Sequence, residues 1–342
     1  MIKTKVGWHG GVTIVTEKDV IRLDPNIKGH NYVVNLISHA HGDHIVGLKK
    51  GAIGHITAET KDILSYSGIC RLKDSEVLKY DEEINIGDIK VTIHNAGHVL
   101  GSAQFEIQTP ELLIGYTGDI NCRDMMTTTA AKPIDCDVLI LETTYGTPIY
   151  TFPSPEETYI EIVNWVIRNI RKKIIPVFKV YSTGKAQEII RVINEFTTIP
   201  VITHPSISKV CEAYVKNGIK QKYIESTHEE GKELIKNQQC VYVMPTNKES
   251  ILEKNYSIAY ATGWAVKYNS INSNVKSFPL SNHADFNQLL NYVEQAKPKK
   301  IYTIHGFKEN FVKYLNKKFG ANAQPIAPLG QTILRDFISA RD

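Results

Sequence analysis

The chain has 342 residues, of which 22 % are charged and 42 % belong to the hydrophobic set, and its formal net charge is +4. This is the composition of a folded globular protein, and it excludes disordered, collagen-like and coiled-coil chains. No apolar run approaches the roughly 20 residues of a membrane span, and Met1 to His9 hold no apolar signal-peptide core, so a cytoplasmic protein with no membrane partner is expected.

Length allows roughly two domains. Up to about residue 140, short β-branched segments alternate with polar turns: Val12–Val15, Val20–Leu23, Val33–Ile37, Ile89–Ile93, Ala103–Ile107, Leu112–Tyr116 and Val138–Leu141. They predict a β-rich layer. Apolar residues at three- and four-residue intervals then predict a helix from Glu156 to Ile170, behind Pro153-Ser154-Pro155. Strand and helix alternate after it: Ile174–Phe178, a helix from about Gly184 to Phe196, Val201–Thr203, a helix from about Ser206 to Val215, then Val241–Met244 and Ser257–Ala261. Such alternation predicts a parallel sheet. From Phe278 a short strand precedes a helix from about Ala284 to Ala296, the strand Ile301–Ile304, a helix to about Phe319 and a closing strand near Thr332–Leu334. Composition shifts near Pro148 and Ser277 place an α/β insertion, 148–277, between a β-rich body, 1–147, and a C-terminal return, 278–342.

Chemistry concentrates at strand ends. Ser38-His39-Ala40-His41-Gly42-Asp43-His44 follows the apolar Val33–Ile37 and offers three imidazoles and a carboxylate within one short loop. Nitrogen and oxygen donors of this kind suit one or two borderline-soft divalent ions. Further donors follow later strands: His98, Asp119 and His305. His9, His30, His55, His204 and His228 lie outside any ligand pattern, and His94, four residues before His98, is at most a supporting residue. Cys70, Cys122, Cys136, Cys211 and Cys240 form no Cys-x-x-Cys and are expected to be inert core thiols of a reducing compartment. Ser182-Thr183-Gly184-Lys185 lacks the leading Gly and the Ser/Thr after Lys of a P-loop. It lies between strand and helix, where free amides and Lys185 could hold a substrate phosphate.

These motifs resemble the metallo-β-lactamase fold, and within it the β-CASP nucleases of the RNA 3′-end-processing and RNase J-like branch. His39, His41, Asp43 and His44 match the signature metal motif, His98 and Asp119 the next two, and Asp24 the ligand-orienting Asp. Leu141-Glu142-Thr143-Thr144-Tyr145-Gly146 matches motif A, Ser281-Asn282-His283-Ala284-Asp285 motif B and His305 motif C, across nearly the whole chain. The resemblance implies an αββα sandwich with an inserted α/β β-CASP domain. It implies two Zn2+ ions, or Mn2+, one held by His39, His41, His98 and Asp119 and the other by Asp43, His44, His305 and the shared Asp119. A hydroxide bridging the ions would attack the phosphodiester, Asp43 belonging to this catalytic set. His283 would act as general acid, oriented by Glu142.

The implied substrate is single-stranded nucleic acid, with RNA favoured because His305 stands where the DNA-repair group resembling Artemis usually has an apolar residue. Against this, Gly146 to Tyr150, Tyr181 to Gln187 and Thr262-Gly263-Trp264 resemble the ligase-associated DNA exonucleases. The alternatives are therefore a DNA exonuclease of end repair, a small-molecule metallo-hydrolase of the same fold, or a metal-free scaffold in a processing complex. A homodimer or a processing-complex partner is open. Expected substrate contacts are Ser182, Thr183, Lys185 and Trp264, with Arg171-Lys172-Lys173, Lys179, Tyr181 and Lys267 as further basic and aromatic candidates.

Overall fold

The computed structural model describes residues 4–29, 32–69, 72, 75–250, 252, 255–267 and 275–330. The first sheet is built from β1 (Lys5–Trp8), β2 (Val12–Val15), β3 (Val20–Leu23), β4 (Val33–Leu36), β5 (Gly54–Thr57) and β6 (Glu76–Leu78), in that order. The first three strands are antiparallel and the rest parallel. Helix α1 (Val46–Lys49) follows β4, and α2 (Ala58–Ser67) follows β5, started by the Thr57 side chain accepting from the Thr60 amide.

The second sheet takes β7 (Glu83–Ile86), β8 (Ile89–Asn95), β9 (Ala103–Gln108), β10 (Leu113–Tyr116) and β11 (Val138–Glu142). The chain then leaves to build a third sheet. Helix α3 (Pro155–Arg171) opens with a capping box, in which Ser154 and Glu157 each bond the other's backbone amide. It is followed by β12 (Ile175–Val180), α4 (Lys185–Phe196), β13 (Val201–Thr203), α5 (Pro205–Lys216), β14 (Ile224–Glu225), α6 (Glu229–Lys236), β15 (Val241–Pro245), β16 (Tyr256–Ala261) and β17 (Val275–Phe278). The order β14-β13-β15-β12-β16-β17 is parallel throughout. The chain returns through α7 (Phe286–Ala296), β18 (Lys300–Ile304), α8 (Lys308–Phe319) and β19 (Ala323–Pro325), and β18 pairs in parallel with β11.

Sheets one and two face each other across a core of Ile14, Ile21, Leu36, Val91, Phe105, Ile107, Ile114 and Ile140. Alternation along β8 decides this: Ile89, Val91 and Ile93 point in, while Lys90, Thr92 and His94 point out. Helices α7 and α8 cover the outer face of sheet two through Phe286, Leu289, Phe311 and Leu315. Ile63 and Leu64 of α2 cover sheet one. The result is the expected helix-sheet-sheet-helix sandwich carrying a separate parallel α/β layer. Sheet three is covered on one face by α3, α4 and α5 and on the other by α6, and its inner strands β12, β13 and β15 are therefore buried and largely apolar.

The expected segments lie within three residues of the observed ones, with one correction: no strand begins at Phe278 in the C-terminal return, because β17 ends at Phe278 and pairs with β16 in sheet three. The segments not expected from sequence are short or weakly apolar: β1, α1, β5, α2, β6, β7, β14, α6 and β19. The closing strand expected near Thr332–Leu334 lies outside the described residues, as do His30 and Cys70. Cys136, Cys211 and Cys240 are buried, and burial pushes these thiols up to about 12, which leaves them protonated.

Candidate active site

The expected ligands meet where strand ends share an edge. His39, His41, Asp43 and His44 follow β4, His98 follows β8, Asp119 follows β10 and His305 follows β18. His39 Nε2 and His98 Nε2 each lie 3.0 Å from His41 Nδ1. Asp119 Oδ2 is 3.5 Å from His39 Nε2 and 3.7 Å from His98 Nε2. The same oxygen is 3.4 Å from His44 Nε2, and His44, Asp119 and His305 form a second group of convergent donors.

The partners behind these rings fix which nitrogen carries the hydrogen. His98 Nδ1 faces the Asn282 carbonyl at 2.8 Å, His41 Nε2 the Thr183 carbonyl at 3.3 Å, and His44 Nδ1 the Asp24 carboxylate at 2.7 Å. Carbonyl and carboxylate oxygens only accept, so each facing nitrogen donates. Ser38 Oγ donates to Asp24 Oδ2 at 2.6 Å and so accepts from His39 Nδ1 at 2.9 Å. Asp24 also accepts from the Ser38 amide and from Tyr116 Oη, each at 2.7 Å. The lone pairs of His39 Nε2, His41 Nδ1 and His98 Nε2 therefore converge with the Asp119 carboxylate on common space, while His44 Nε2 faces the second group with Asp119 and His305.

Burial, and then the neighbouring imidazoles, hold His39 and His98 well below their ordinary range, and burial lowers His41 to about 4. These three rings are neutral at pH 7, and converging neutral lone pairs repel unless a cation lies between them. Donors about 2.0–2.2 Å from a tetrahedral zinc lie about 3.3–3.6 Å apart, close to the spacing given above. The residues fit a zinc-type ion, and fixing each ring through its second nitrogen is how metal-binding histidines are held. Around His44 burial opposes the charge, but Asp119 and Asp24 outweigh it and raise the ring well above its ordinary value.

Beside this centre, His283 Nδ1 lies 2.9 Å from Glu142 Oε1, and His283 Nε2 lies 4.0 Å from Asp119 Oδ2. Glu142 ends β11, fully buried, and its carboxylate also accepts from the amides of Ile120 and Thr144 at 3.1 and 2.9 Å. Burial disfavours a charged His283, yet Glu142 and Asp119 outweigh it and hold the ring above its ordinary value. His283 can thus carry a proton on Nε2, facing a cavity of about 340 Å³.

Residues 269–325 match the family described as Zn-dependent metallo-hydrolase RNA specificity domain. The chain is 26 % identical to an RNase J-like protein of Methanocaldococcus jannaschii over 87 % of this chain and 91 % of that one. It is 30 % identical to a probable DNA ligase of Opitutus terrae over 83 % of this chain, and spans only 28 % of that protein's length. It is 31 % identical to cleavage and polyadenylation specificity factor subunit 3 of Dictyostelium discoideum over 46 % of this chain and 22 % of that one. The chain belongs to the β-CASP branch of the metallo-β-lactamase fold. A crystal structure of a protein of unknown function from Enterococcus faecalis V583 has the same fold, with a TM-score of 0.65 at 17 % identity over 90 % of this chain and 96 % of that one.

The structure sorts the remaining candidates of this β-CASP chain. Asp43 lines the cavity with its Oδ2 3.6 Å from His44 Nε2, but its side chain is 76 % exposed and stands outside both compact donor groups. His94 is no supporting residue. It points out of β8, away from the ligands, to Glu106 at 3.0 Å and Asp81 at 3.6 Å. Thr183, Lys185 and Trp264 line the cavity, whereas Ser182 is not among its lining residues, and its carbonyl accepts from Gln187 Nε2 at 3.0 Å. Arg171-Lys172-Lys173 precede β12 and so sit at the opposite end of the parallel strands from the cavity. Lys267 closes the short 3₁₀ turn Gly263–Val266 and is not among the lining residues.

Two backbone carbonyls, of Thr183 and Asn282, had no side-chain signature in the sequence. Gly184 places the first of them: its φ of +87° favours glycine, and a Cβ there would come within 2.5 Å of Val99 Cγ1.

Proposed function

We propose that this chain is a metal-dependent nuclease that hydrolyses phosphodiester bonds of single-stranded nucleic acid, with RNA favoured. The observation that carries the reading is the pair of buried Glu142 and half-buried His283, set against an Asp119 carboxylate shared by two donor groups. One group is His39, His41, His98 and Asp119, and the other is His44, His305 and Asp119, with Asp43 beside it. Divalent ions bound there, two Zn2+ or Mn2+, would supply Lewis acidity, lowering the pKa of water toward about 7 and offsetting phosphate charge. Asp24 locks the His39 and His44 rings through Ser38 and directly, while the inserted layer locks His41 through Thr183. His283 delivers the Nε2 proton to the departing oxygen, and Glu142 holds Nδ1–H so that this proton faces the cavity.

The RNase J-like and polyadenylation-factor relatives support RNA. The relative named as a probable DNA ligase, matched over 83 % of this chain, supports a second reading, a DNA exonuclease of end repair. A hydrolase of small molecules would leave the acid pair and the inserted sheet without work. We place the divisions of the chain at about 147/148 and 277/278, the second at the end of β17, the last strand of sheet three.

The deciding experiment incubates zinc-loaded protein with matched end-labelled single strands of RNA and DNA. RNA cleavage supports the first reading, DNA-only cleavage the second, and hydrolysis of thioesters or lactones without cleavage of either strand overturns both.

Lys185 opens α4, is buried, and is lowered to about 8 by burial. Its ammonium extends to the cavity, 5.5 Å from the Tyr181 ring centroid. Its role is to hold a substrate phosphate, and a hydrogen bond to a charged group is worth enough that Lys185→Met should raise KM by about tenfold or more. The kcat should change little. Because the lysine is charged below about 8, KM should rise as pH increases past that value. Lys185→Arg, always charged, should flatten that rise. An unchanged KM in Lys185→Met returns the residue to a packing role.

A further inference from the structure

A second crevice of about 290 Å³ opens beside the catalytic cavity, at the carboxyl ends of the strands of sheet three. Its place in the topology is specific. The chain leaving β12 turns through α4 toward β13 on one side, and the chain leaving the adjacent β16 turns through the 3₁₀ segment toward β17 on the other. In an open parallel sheet this reversal separates the two loops and leaves a crevice that binds ligands. The walls identify the ligand. Tyr181 and Trp264, 62 % and 38 % exposed, line both this crevice and the catalytic cavity, and so does Thr262. Tyr181 lies with its centroid 6.4 Å from the His41 ring. Trp264 is held rigidly by Tyr145 and Tyr150, at 4.8 and 5.1 Å between centroids. Half-buried Lys179 lines the far side with Tyr260 and Thr246.

We propose that this crevice is a nucleobase subsite. It takes one base of the substrate strand, a fixed number of nucleotides from the bond being cut, stacked on the Tyr181 and Trp264 wall with the adjoining phosphate near Lys179. Two faces of one aromatic wall, one toward the metal donors and one toward a crevice of base size, suit a flexible strand that continues beyond the reacting phosphate. A bare small-molecule substrate would end at the first cavity. The inference rests on the nuclease reading above and adds to it a base-dependent register.

The test uses the full-length zinc-loaded enzyme and short single strands in which one abasic residue is stepped along the sequence, reading the rate of the first cut under kcat/KM conditions. One position should slow cleavage by about tenfold, the others little, since loss of one stacked base costs roughly that much. Thr246→Trp, which fills the exposed mouth of the crevice, and Tyr181→Leu, which removes stacking surface, should each slow cleavage of the intact strand and flatten the abasic profile. Cleavage with a flat wild-type profile overturns the subsite and leaves the nuclease reading standing, and so does a position-dependent profile that survives in both variants. No cleavage of any strand removes the nuclease reading and the subsite with it.

Discussion

Asp119→Ala is expected to abolish measurable turnover and to lower bound metal in the same protein, with an affinity loss of more than about a hundredfold. A lost supporting partner alone typically costs 10–100-fold, and this carboxylate is the one proposed to serve both ions directly. Its Oδ2 lies within 4 Å of His39, His44, His98 and His283 nitrogens alike, so its removal empties the middle of both donor groups. Burial opposes its ionisation, but His44 and His283 outweigh burial and hold Asp119 well below the usual carboxylate range. It is therefore ionised throughout the working range, and Asp119→Asn should fail almost as completely although it keeps the shape. Metal content by elemental analysis, taken beside activity, is the check. Wild-type metal with full activity in either variant would remove the shared-carboxylate assignment.

His283→Ala should behave oppositely. Metal content stays at the wild-type value while turnover on an oligonucleotide falls by about 10²–10⁴-fold, the usual worth of a positioned acid. The leaving group separates this role from a structural one. A nitrophenyl phosphodiester departs without needing a proton, so His283→Ala should lose far less on that substrate than on a strand whose alkoxide must be protonated. Glu142→Gln, which keeps a partner for Nδ1 but removes the charge that raises His283, should fall between the two. Equal losses on both substrates, or a fall in metal content, would mean that His283 supports the centre instead of delivering the proton.

Much of this centre was legible from the sequence because strand ends in a sandwich collect on one edge. Short β-branched runs such as Val12–Val15 and Val20–Leu23 announce themselves, and donors immediately after several such runs must come near one another. Helices α2 and α6 were hidden, since α2 buries few apolar side chains beyond Ile63 and Leu64 and α6 packs chiefly through Leu234 and Ile235. The outward direction of His94 was available in the alternation of β8, which nearness to His98 along the chain obscured. Glu142 and His283 stand far apart in sequence, and residue types alone could not pair them; the motif resemblance did. Backbone acceptors such as the Thr183 carbonyl leave no trace in residue identity at all, and only a glycine of constrained geometry next door marks the spot. Orphaned Asn282 Nδ2, buried in the cavity wall without a hydrogen-bond partner, is visible only in three dimensions.

The inserted layer leaves and re-enters the sandwich at almost one point. The Phe152 amide donates to Asp285 Oδ2 at 3.0 Å, the Phe286 amide to the Tyr150 carbonyl at 3.0 Å, and Arg123 joins Asp285 at 2.9 Å. These bonds act as a buckle: the outgoing and returning chain are fastened together beside Glu142 and His283. A buckled loop can be lengthened, shortened or exchanged with little strain on what it is fastened to, because closure cost grows only slowly with length. The inserted sheet is thereby a replaceable attachment away from four points of contact: the turns after β12 and β16, which reach back to the centre, α5, which packs Val210 and Tyr214 against Ile63 and Leu64 of α2, and Glu188 of α4, which accepts from the Met126 and Thr127 amides. Swapping segments of this layer between relatives should thus alter which strand is gripped before it alters whether a strand is cut.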